Sequence, residues 1–250
     1  MKIKNRARTA SLKSLLKKLI PSRCILCSLT ITTREFREIS QPDIPLCELC
    51  IDSLPKIITA CGLCNTPLQN GNLCGVCIRS QRHWDQCFAA FEYKDSIKHI
   101  ITEFKYRQKP ALGKLLSYLL HQHIINNHDG EMPDYLIPVP MHHSQLKHRG
   151  FNQSLILCNT LSKLLNIPTI NIIQKQKNIH TQKGLSSTER KKFIKNSFQL
   201  NTGAIKKLKT VEKITLIDDV MTTGSTASEI ARLLKKSGIS TVEVWVLART

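Results

Sequence analysis

Paired carboxylates and a run of hydroxyl groups lie together between Leu216 and Thr226, in the stretch LIDDVMTTGST. Backbone N–H groups of a turn that opens a helix suit a phosphate, and glycine lets the main chain approach it closely. Asp218 and Asp219 would repel a phosphate, so they need neutral hydroxyls or a divalent ion as partners. A ribose 5-phosphate presents both kinds of group, and the stretch therefore indicates a sugar-phosphate site.

Three other interpretations of this stretch are weaker. LIDD is typical of a Walker B strand, but no GxxxxGK[ST] occurs in the chain, and a dinucleotide site would need a GxGxxG that is also absent. A helix cap requires one polar residue, whereas this stretch holds two acids, four hydroxyls and a glycine.

Eight of the ten cysteines form four CxxC pairs: Cys24 and Cys27, Cys47 and Cys50, Cys61 and Cys64, and Cys74 and Cys77. One CxxC aims two thiolates at an ion, and two such pairs complete a tetrahedral zinc site. The pairs predict two closed, structural Zn²⁺ sites rather than redox centres, because a redox CxxC is usually single and lies beside a βαβ unit. Pairing in sequence order and an interleaved pairing both remain open, as does a ligand role for His83.

Strands alternate with helices after Phe88. The predicted strands are 88–93, 135–140, 169–173, 213–218 and 241–248, and the predicted helices are 96–106, 111–126, 151–165 and 225–236. Residues 174–190 are polar and lysine-rich, which predicts a mobile loop. The alternation predicts an α/β fold with a parallel sheet, in which ligands bind at the carboxyl ends of the strands. Asp218 and Asp219 fall at such an end.

The chain is strongly basic, with 37 Lys and Arg against 18 Asp and Glu and a formal net charge of +19. This balance favours an anionic partner such as nucleic acid, polyphosphate or a membrane surface, although a generally lysine-rich protein would look the same. Residues 9–20 are predicted to form a basic amphipathic helix that packs on a neighbour or makes a peripheral membrane contact. No run predicts a transmembrane segment, and a cytoplasmic location is expected.

The stretch at 216–226 closely resembles the phosphoribosyl diphosphate (PRPP) signature of the type I phosphoribosyltransferases, DD-V-x-TTG-x-T. Together with the four CxxC pairs, it makes the whole chain similar to the ComF/GntX family, which joins a double zinc ribbon to a phosphoribosyltransferase domain. Three further segments resemble that family: FKYRQKPALGKLL (104–116), IPVPMHHSQLKHRGFNQS (137–154) and QKGLSSTERKKFIKNSF (182–198).

The resemblance implies a fold and a division into domains. The fold would be α/β, of the type I phosphoribosyltransferase kind with a parallel sheet flanked by helices, after an N-terminal Cys-rich double zinc ribbon. The implied segments are the basic helix within 1–22, the zinc ribbon at 23–85 and the phosphoribosyltransferase-like domain at 86–250.

The resemblance also implies roles for individual residues. Asp218 and Asp219 would be catalytic, holding the ribose hydroxyls and the Mg²⁺ carried by PRPP. The implied PRPP-binding residues are Thr222, Thr223, Gly224, Ser225, Thr226, Val139, Pro140, Met141, Arg149, Lys183 and Arg190, with Gly150, Phe151 and Asn152 close by. Lys175, Lys177, Lys183 and Arg190 would neutralise the pyrophosphate from a loop that closes over the substrate, or would simply be solvated.

The implied reaction displaces pyrophosphate at C1 of the ribose through a cationic sugar that nearby carboxylates favour. In the 6-oxopurine transferases an acid begins the phosphate loop, but Thr222 occupies that place here and cannot move a proton near neutral pH. Purine salvage of that kind is therefore not expected, and the acceptor stays unidentified. Phe193 and Ile194 stand where the family often has Asn.

Three functions remain open from the sequence. The first is a PRPP- and Mg²⁺-dependent phosphoribosyltransferase that acts in DNA uptake and natural transformation. The alternative is an accessory protein that binds single-stranded DNA and competence proteins without transferring a phosphoribosyl group, through salt-sensitive phosphate contacts. The third is an interaction module that docks through the zinc ribbon and the 9–20 helix.

Overall fold

The computed structural model describes residues 23–31, 45–106, 109, 111–176, 197–201, 203 and 210–250. The predicted helix at 9–20 and residues 177–190 of the predicted loop lie outside this part of the chain. The chain divides into two compact units, Met1–Leu54 and Pro55–Thr250. The last two CxxC pairs therefore belong to the same unit as the main sheet.

Each unit contains a cysteine hairpin with the same local backbone. A residue in the left-handed conformation follows the CxxC pair, Ser28 (φ 62°) in the first hairpin and Asn65 (φ 55°) in the second. Its N–H donates to the carbonyl of the first cysteine at 2.8 Å in both hairpins. The next CxxC pair then opens a short helix, α1 (Glu48–Asp52) or α2 (Gly75–Arg79). The repeat of CxxC pairs in the sequence is thus a repeat of structure.

Four parallel strands form the main sheet, in the order β1–β6–β5–β2. Their bounds are β1 Gln86–Glu92, β2 Tyr135–Pro138, β5 Lys213–Met221 and β6 Thr241–Arg249. A parallel bridge from Leu136 to Thr169 extends the β2 edge. The inner strands β5 and β6 are nearly continuous apolar runs, because a parallel sheet is buried on both faces. A separate antiparallel pair joins β3 (Ile173–Lys175) to β4 (Phe198–Leu200).

Helices flank the main sheet. They are α3 (Asp95–Tyr106), α4 (Ala111–Asn127), α5 (His143–Arg149), α6 (Gln153–Leu165) and α7 (Ser225–Lys236). Helix α7 buries Ala227, Ile230 and Leu234, residues at helical spacing, in one core with alternate residues of β6. Helices α4 and α6 pack on each other, and between them they contact all four strands.

The carboxyl ends of the four strands lie at one edge of the sheet. Strand β2 ends at Pro138, which pairs with Ile217, whereas β5 continues beside β6 as far as the pair Met221 and Arg249. Asp218 and Asp219 are therefore inside β5, which is three residues longer than the sequence predicted. The two side chains are held on an ordered strand rather than on a loop.

The predicted α/β fold with a parallel sheet flanked by helices is confirmed, as is a cysteine-rich region preceding the sheet. Helix α5 was not predicted, α6 begins at Gln153 rather than at Phe151, and the start of the predicted 174–190 loop is strand β3. Across the residues that the structure describes, no helix has the length and apolar content needed to cross a bilayer.

Candidate functional site

Asp218 occupies the centre of the candidate site, at the carboxyl end of β5. Its Oδ1 accepts a hydrogen bond from Ser154 Oγ at 2.8 Å and another from the N–H of Asp219 at 2.9 Å. Burial raises the pKa of Asp218 to about 7, and the negative charge of Asp219 adds to this, while the bond from Ser154 opposes it. The carboxyl group therefore changes charge near neutral pH.

Asp219 is paired with a lysine from helix α3. Lys105 Nζ lies 2.9 Å from Asp219 Oδ2, and both side chains are largely buried. The other oxygen, Oδ1, accepts from the N–H of Val220 at 2.7 Å. Because neighbouring strand residues project to opposite faces, the two acids hold different partners. Asp218 accepts a hydrogen bond from the hydroxyl of Ser154, and Asp219 forms an ion pair with Lys105.

Residues Thr222 to Thr226, which we name the phosphate loop, comprise the turn after β5 and the first two residues of α7. Together with Asp218 it lines a small cavity of about 60 Å³ at the N-terminus of α7. Thr223 Oγ1 and Ser225 Oγ lie 2.8 Å apart, and Thr223 Oγ1 also accepts from the N–H of Ser225 at 3.3 Å. Helix N-terminal N–H groups, the helix dipole and these hydroxyls all favour an anion in this cavity.

Gly224 is required in the phosphate loop for two reasons. Its φ of +72° is a conformation that side chains strongly disfavour. In addition, a Cβ at this position would lie 2.6 Å from Cη2 of Trp84. The loop is thus packed against an aromatic ring from the segment after the last CxxC pair.

The residues after β2 form the second implied PRPP segment, Val139 to Met141. The N–H of Val139 donates to the carbonyl of Ile217 at 3.0 Å, and the Val139 carbonyl accepts from Asn152 Nδ2 at 3.1 Å. Asn152 also caps helix α6 by accepting from the N–H of Ser154 at 3.0 Å. One asparagine therefore ties this loop to the helix whose Ser154 contacts Asp218.

Arg149 ends helix α5 beside this loop. Its guanidinium stacks over the ring of Tyr106 at 5.2 Å and donates to Gln153 Oε1 at 3.3 Å. Gly150 follows in the left-handed conformation (φ 79°) and ends the helix. The arginine is partly exposed and held by stacking, close in sequence to the residues that orient the loop after β2.

A larger groove of about 900 Å³ runs from the loop after β2 to strand β3. Its polar lining includes His142, Asn152, Asn171 and Lys175. Burial lowers the pKa of Lys175, and the charge of Asp218 opposes this. The structure thus places Lys175 on strand β3 in the lining of this groove, whereas Lys177, Lys183 and Arg190 lie outside the described residues.

Sequence reasoning did not assign a role to Lys105 or Ser154. Both lie in segments quoted for their resemblance to the ComF/GntX family, FKYR and RGFNQS, so the signal was present. Their contacts with Asp219 and Asp218 need the folded arrangement of α3, α6 and β5.

Eight cysteines form two clusters, grouped in sequence order. The first cluster is Cys24, Cys27, Cys47 and Cys50, and the second cluster is Cys61, Cys64, Cys74 and Cys77. Within each cluster the sulfur atoms lie within 4.8 Å of one another, and Cys27–Cys47 and Cys64–Cys74 are 3.6 Å apart. A tetrahedral zinc with Zn–S bonds of about 2.3 Å places its sulfurs ~3.8 Å apart, so both clusters fit Zn²⁺. Each offers four protein ligands and no open position.

No family model matches the chain. Competence protein F of Haemophilus influenzae is 35% identical over 210 residues, which are 82% of this chain and 90% of that protein. DNA utilization protein YhgH of Shigella flexneri is 29% identical over 236 residues, covering 92% of this chain and 98% of that protein. Competence protein ComFC of Bacillus subtilis is 27% identical over 242 residues, covering 91% and 95%.

Solved structures with a similar arrangement are phosphoribosyltransferase-type proteins. Glutamine PRPP amidotransferase from B. subtilis is 18% identical, with a TM-score of 0.38 over 58% of this chain and 30% of that chain. Adenine phosphoribosyltransferase from Saccharomyces cerevisiae is 12% identical, with a TM-score of 0.35 over 58% of this chain and 72% of that chain.

Proposed function

This chain belongs to the ComF family of competence protein F, and on that basis we propose that it binds PRPP with Mg²⁺ and acts in DNA uptake. Its main domain has the type I phosphoribosyltransferase fold. One observation supports the proposal most directly: the Asp218 carboxyl group borders the hydroxyl-lined cavity at the N-terminus of α7. The residue proposed to accept the sugar hydroxyls and the turn proposed to bind the phosphate are thus adjacent.

The 5-phosphate of PRPP would occupy the phosphate loop. The N-terminal N–H groups of α7 and the hydroxyls of Thr223 and Ser225 supply donors without a charged side chain. Gly224 supplies the positive φ that this turn requires. This arrangement favours a terminal phosphate on a small sugar, since the cavity beside Asp218 is narrow.

The ribose hydroxyls would donate to Asp218 and Asp219. Ser154 fixes the orientation of one carboxylate, and Lys105 balances the charge of the other before the ligand arrives. Carboxylates next to C1 would also favour the positive charge that develops on the sugar as its bond to pyrophosphate breaks. Mg²⁺ bound to the pyrophosphate oxygens would supply charge neutralisation of the leaving group.

The pyrophosphate would lie against the backbone of Val139 to Met141, with Lys175 at the side of the groove. The short loop is fixed by bonds to Ile217 and Asn152. The Val139 N–H is used in the first of these bonds and Pro140 has no N–H, so the Met141 N–H is the backbone donor that this loop would offer the pyrophosphate. Arg149, Lys183 and Arg190 complete the set of cations proposed for this end of the ligand. The acceptor nucleophile would enter through the 900 Å³ groove.

Each cysteine cluster would hold one structural Zn²⁺. The sulfur spacing matches a tetrahedral ion, and four thiolates leave no coordination position for a substrate. The metal would order short hairpins that have few apolar residues of their own. The domain limits 23–85 and 86–250 and a cytoplasmic location stay predictions.

Titration calorimetry of the full chain with PRPP and Mg²⁺ tests the proposed site. The wild-type protein should bind, and Asp218→Asn/Asp219→Asn should lower the affinity by about tenfold or more, because each carboxylate loses a charge-assisted hydrogen bond. Asp129→Asn, an exposed acid after α4, is the matched control and should bind as wild type does. Equal affinities in all three proteins would exclude this role for the acidic pair.

A screen for pyrophosphate release with bases, nucleosides and single-stranded DNA then separates an enzyme from a PRPP-binding protein. Thr222 in place of an acid leads us to expect no release with hypoxanthine or guanine. Release with another acceptor would identify the reaction.

The second candidate is a single-stranded-DNA-binding accessory protein without transfer activity. The net charge of +19 favours it, as do Lys147, His148 and Arg149 at the end of helix α5, beside the groove. Gel shifts across a salt series should show affinity that falls steeply with salt, since phosphate contacts release counterions. A shift that does not change between low and high salt would count against this candidate.

A further inference from the structure

We infer that the second cluster holds the phosphate loop in its binding conformation through Arg249, Arg82 and Trp84. Metal in this cluster would then be required for tight binding of the sugar phosphate. The inference rests on the proposed PRPP site and adds three positioning residues, none of which is expected to touch the ligand.

Arg249 ends strand β6 and joins the second cluster to the start of the phosphate loop. It is 5% exposed. Its Nε donates to the carbonyl of Cys64 at 3.2 Å, and its Nη1 donates to the carbonyls of Met221, at 2.9 Å, and Thr222. One planar guanidinium therefore donates hydrogen bonds to the cluster backbone at Cys64 and to the backbone that begins the phosphate loop. A lysine ammonium lacks the rigid planar set of donors needed to do this.

Trp84 and Arg82 hold the next two residues of the loop. The Trp84 indole Nε1 donates to the carbonyl of Leu63, inside the second cluster, at 2.8 Å, and its ring lies against Gly224. Arg82 Nη1 donates to the carbonyl of Thr223 at 2.9 Å, and its guanidinium stacks on the Trp84 ring at 5.1 Å. Every residue from Met221 to Gly224 is thus held by a side chain anchored at or just after the cluster.

These contacts set the direction of the loop N–H groups. In a trans peptide the C=O of one residue and the N–H of the next point in opposite directions. The carbonyls of Met221, Thr222 and Thr223 point to arginines on the side of the second cluster. The next N–H group after each carbonyl therefore points away from the cluster. Those are the groups that a bound phosphate needs.

Charge balance links the arginine to the occupied cluster. Four thiolates around a divalent ion carry a net charge of −2, and the Arg249 guanidinium is 4.0 Å from Cys64 Sγ. Among the residues that the structure describes, Arg249 hydrogen-bonds to the carbonyls of Cys64, Met221, Thr222 and Thr250 and contacts this sulfur. A buried cation without an anionic neighbour is unfavourable, so the metal-bound cluster stabilises Arg249 in this position.

The test compares two matched double variants of the full chain. Cys74→Ser/Cys77→Ser removes two ligands from the second cluster, and Cys47→Ser/Cys50→Ser removes the equivalent pair from the first. Both should lose one of two zinc ions by mass spectrometry. Calorimetry with ribose 5-phosphate should show about a tenfold or greater loss of affinity for the second-cluster variant alone, because several hydrogen bonds that order the loop are lost.

Hydrogen exchange gives a second measurement that does not depend on the ligand. The amides of Thr222 to Ala227 should exchange faster in the second-cluster variant and at the wild-type rate in the first-cluster variant. Unchanged exchange and affinity in a folded second-cluster variant would overturn the inference. If wild type binds no ribose 5-phosphate, the proposed function fails, and the exchange rates still decide whether the cluster holds the loop.

Arg249→Lys provides a test if the second-cluster variant does not fold. This variant keeps the positive charge and all eight cysteines of the two clusters, but it loses the planar guanidinium that donates to several carbonyls at once. We expect two zinc ions, an unchanged far-UV circular dichroism spectrum, faster exchange of the loop amides and about tenfold weaker binding of ribose 5-phosphate. Wild-type exchange in this variant would equally overturn the inference.

Discussion

Lys105 Nζ lies 2.9 Å from Oδ2 of Asp219, and this contact gives the acidic pair an internal cation. Asp219 is 7% exposed, so its charge has little access to solvent. The charge balance of the acidic pair and the stability of the protein therefore depend on the same lysine.

Removing Lys105 should destabilise the protein. In Lys105→Met the Asp219 carboxylate stays buried without its cation, and the free energy of unfolding should fall by about 3 kcal/mol. Urea denaturation at neutral pH measures this change. Lys94→Met, which breaks an exposed pair with Glu92, is the control and should change the free energy of unfolding little, because solvent screens that pair. Adding Asp219→Asn to Lys105→Met should recover part of the loss, and no recovery would contradict the assigned pairing.

Binding of PRPP should depend on pH through Asp218. Its pKa of about 7 means that the carboxyl group is protonated in mild acid and accepts hydroxyl hydrogen bonds fully only above neutrality. The affinity for PRPP should therefore rise between pH 6 and pH 8, with an apparent midpoint that belongs to the Asp218–Asp219 pair. Calorimetry across this range measures it. Asp218→Asn should bind weakly and without this rise, and an equal rise in the variant would assign the titration to another group.

The same raised pKa predicts the sign of a stability change in the free protein. Between the usual aspartate pKa of about 4 and the folded value, the folded protein binds more protons at Asp218 than the unfolded chain does. The contribution of Asp218 to stability is thus complete below about pH 4 and is lost as the pH rises through about 7. Unfolding curves of wild type and Asp218→Asn should diverge over this window, with the variant relatively more stable at pH 8.

Replacing Gly224 by alanine should cost more than the same change at Gly150. Both glycines have a positive φ, +72° and +79°, so both variants carry the left-handed conformation cost of about 1–2 kcal/mol. A Cβ at Gly224 also meets Trp84, whereas nothing lies within 4 Å of one at Gly150. Thermal or urea unfolding should show an additional loss of about 1–3 kcal/mol for Gly224→Ala. Equal losses would mean that the Trp84 ring moves aside freely.

Native mass spectrometry should find two zinc ions per chain, and Cys87→Ala and Cys158→Ala should each keep both. These cysteines are buried outside the two clusters, and burial raises the pKa of the Cys158 thiol to about 12. Any cysteine-to-serine change inside a cluster should remove one ion. Loss of zinc in Cys87→Ala would show that the grouping of ligands differs from the one described.

The sequence was sufficient for features that repeat locally. Alternating strands and helices, the acid and hydroxyl types at 218–226 and the CxxC spacing each follow from a few neighbouring residues, and the structure groups the cysteines in sequence order. Strand β5 was predicted too short because aspartate is unfavourable in strands. Its ladder to β6 overrides that preference as far as Met221.

Contacts between distant segments could not be predicted in this way. Arg82 and Thr223 are 141 positions apart, and Lys105 meets Asp219 only once α3 packs beside the end of β5. Helix α5 was missed because it has one apolar residue, Leu146, which is exposed, so no periodic pattern marks it. The lysine-rich composition of residues 174–190 likewise did not single out Lys175, which lines the groove, from the other lysines of its segment.

The contact of Gly224 with Trp84 also predicts a one-way pattern of genetic suppression. A smaller residue at position 84 would make room for the alanine methyl of Gly224→Ala, but it would leave the left-handed backbone at position 224 as unfavourable as before. A search for revertants of that allele should therefore recover partial suppressors at codon 84 and full reversion only at codon 224. A change at position 84 can relieve only the steric clash, whereas glycine at position 224 relieves both the clash and the backbone strain.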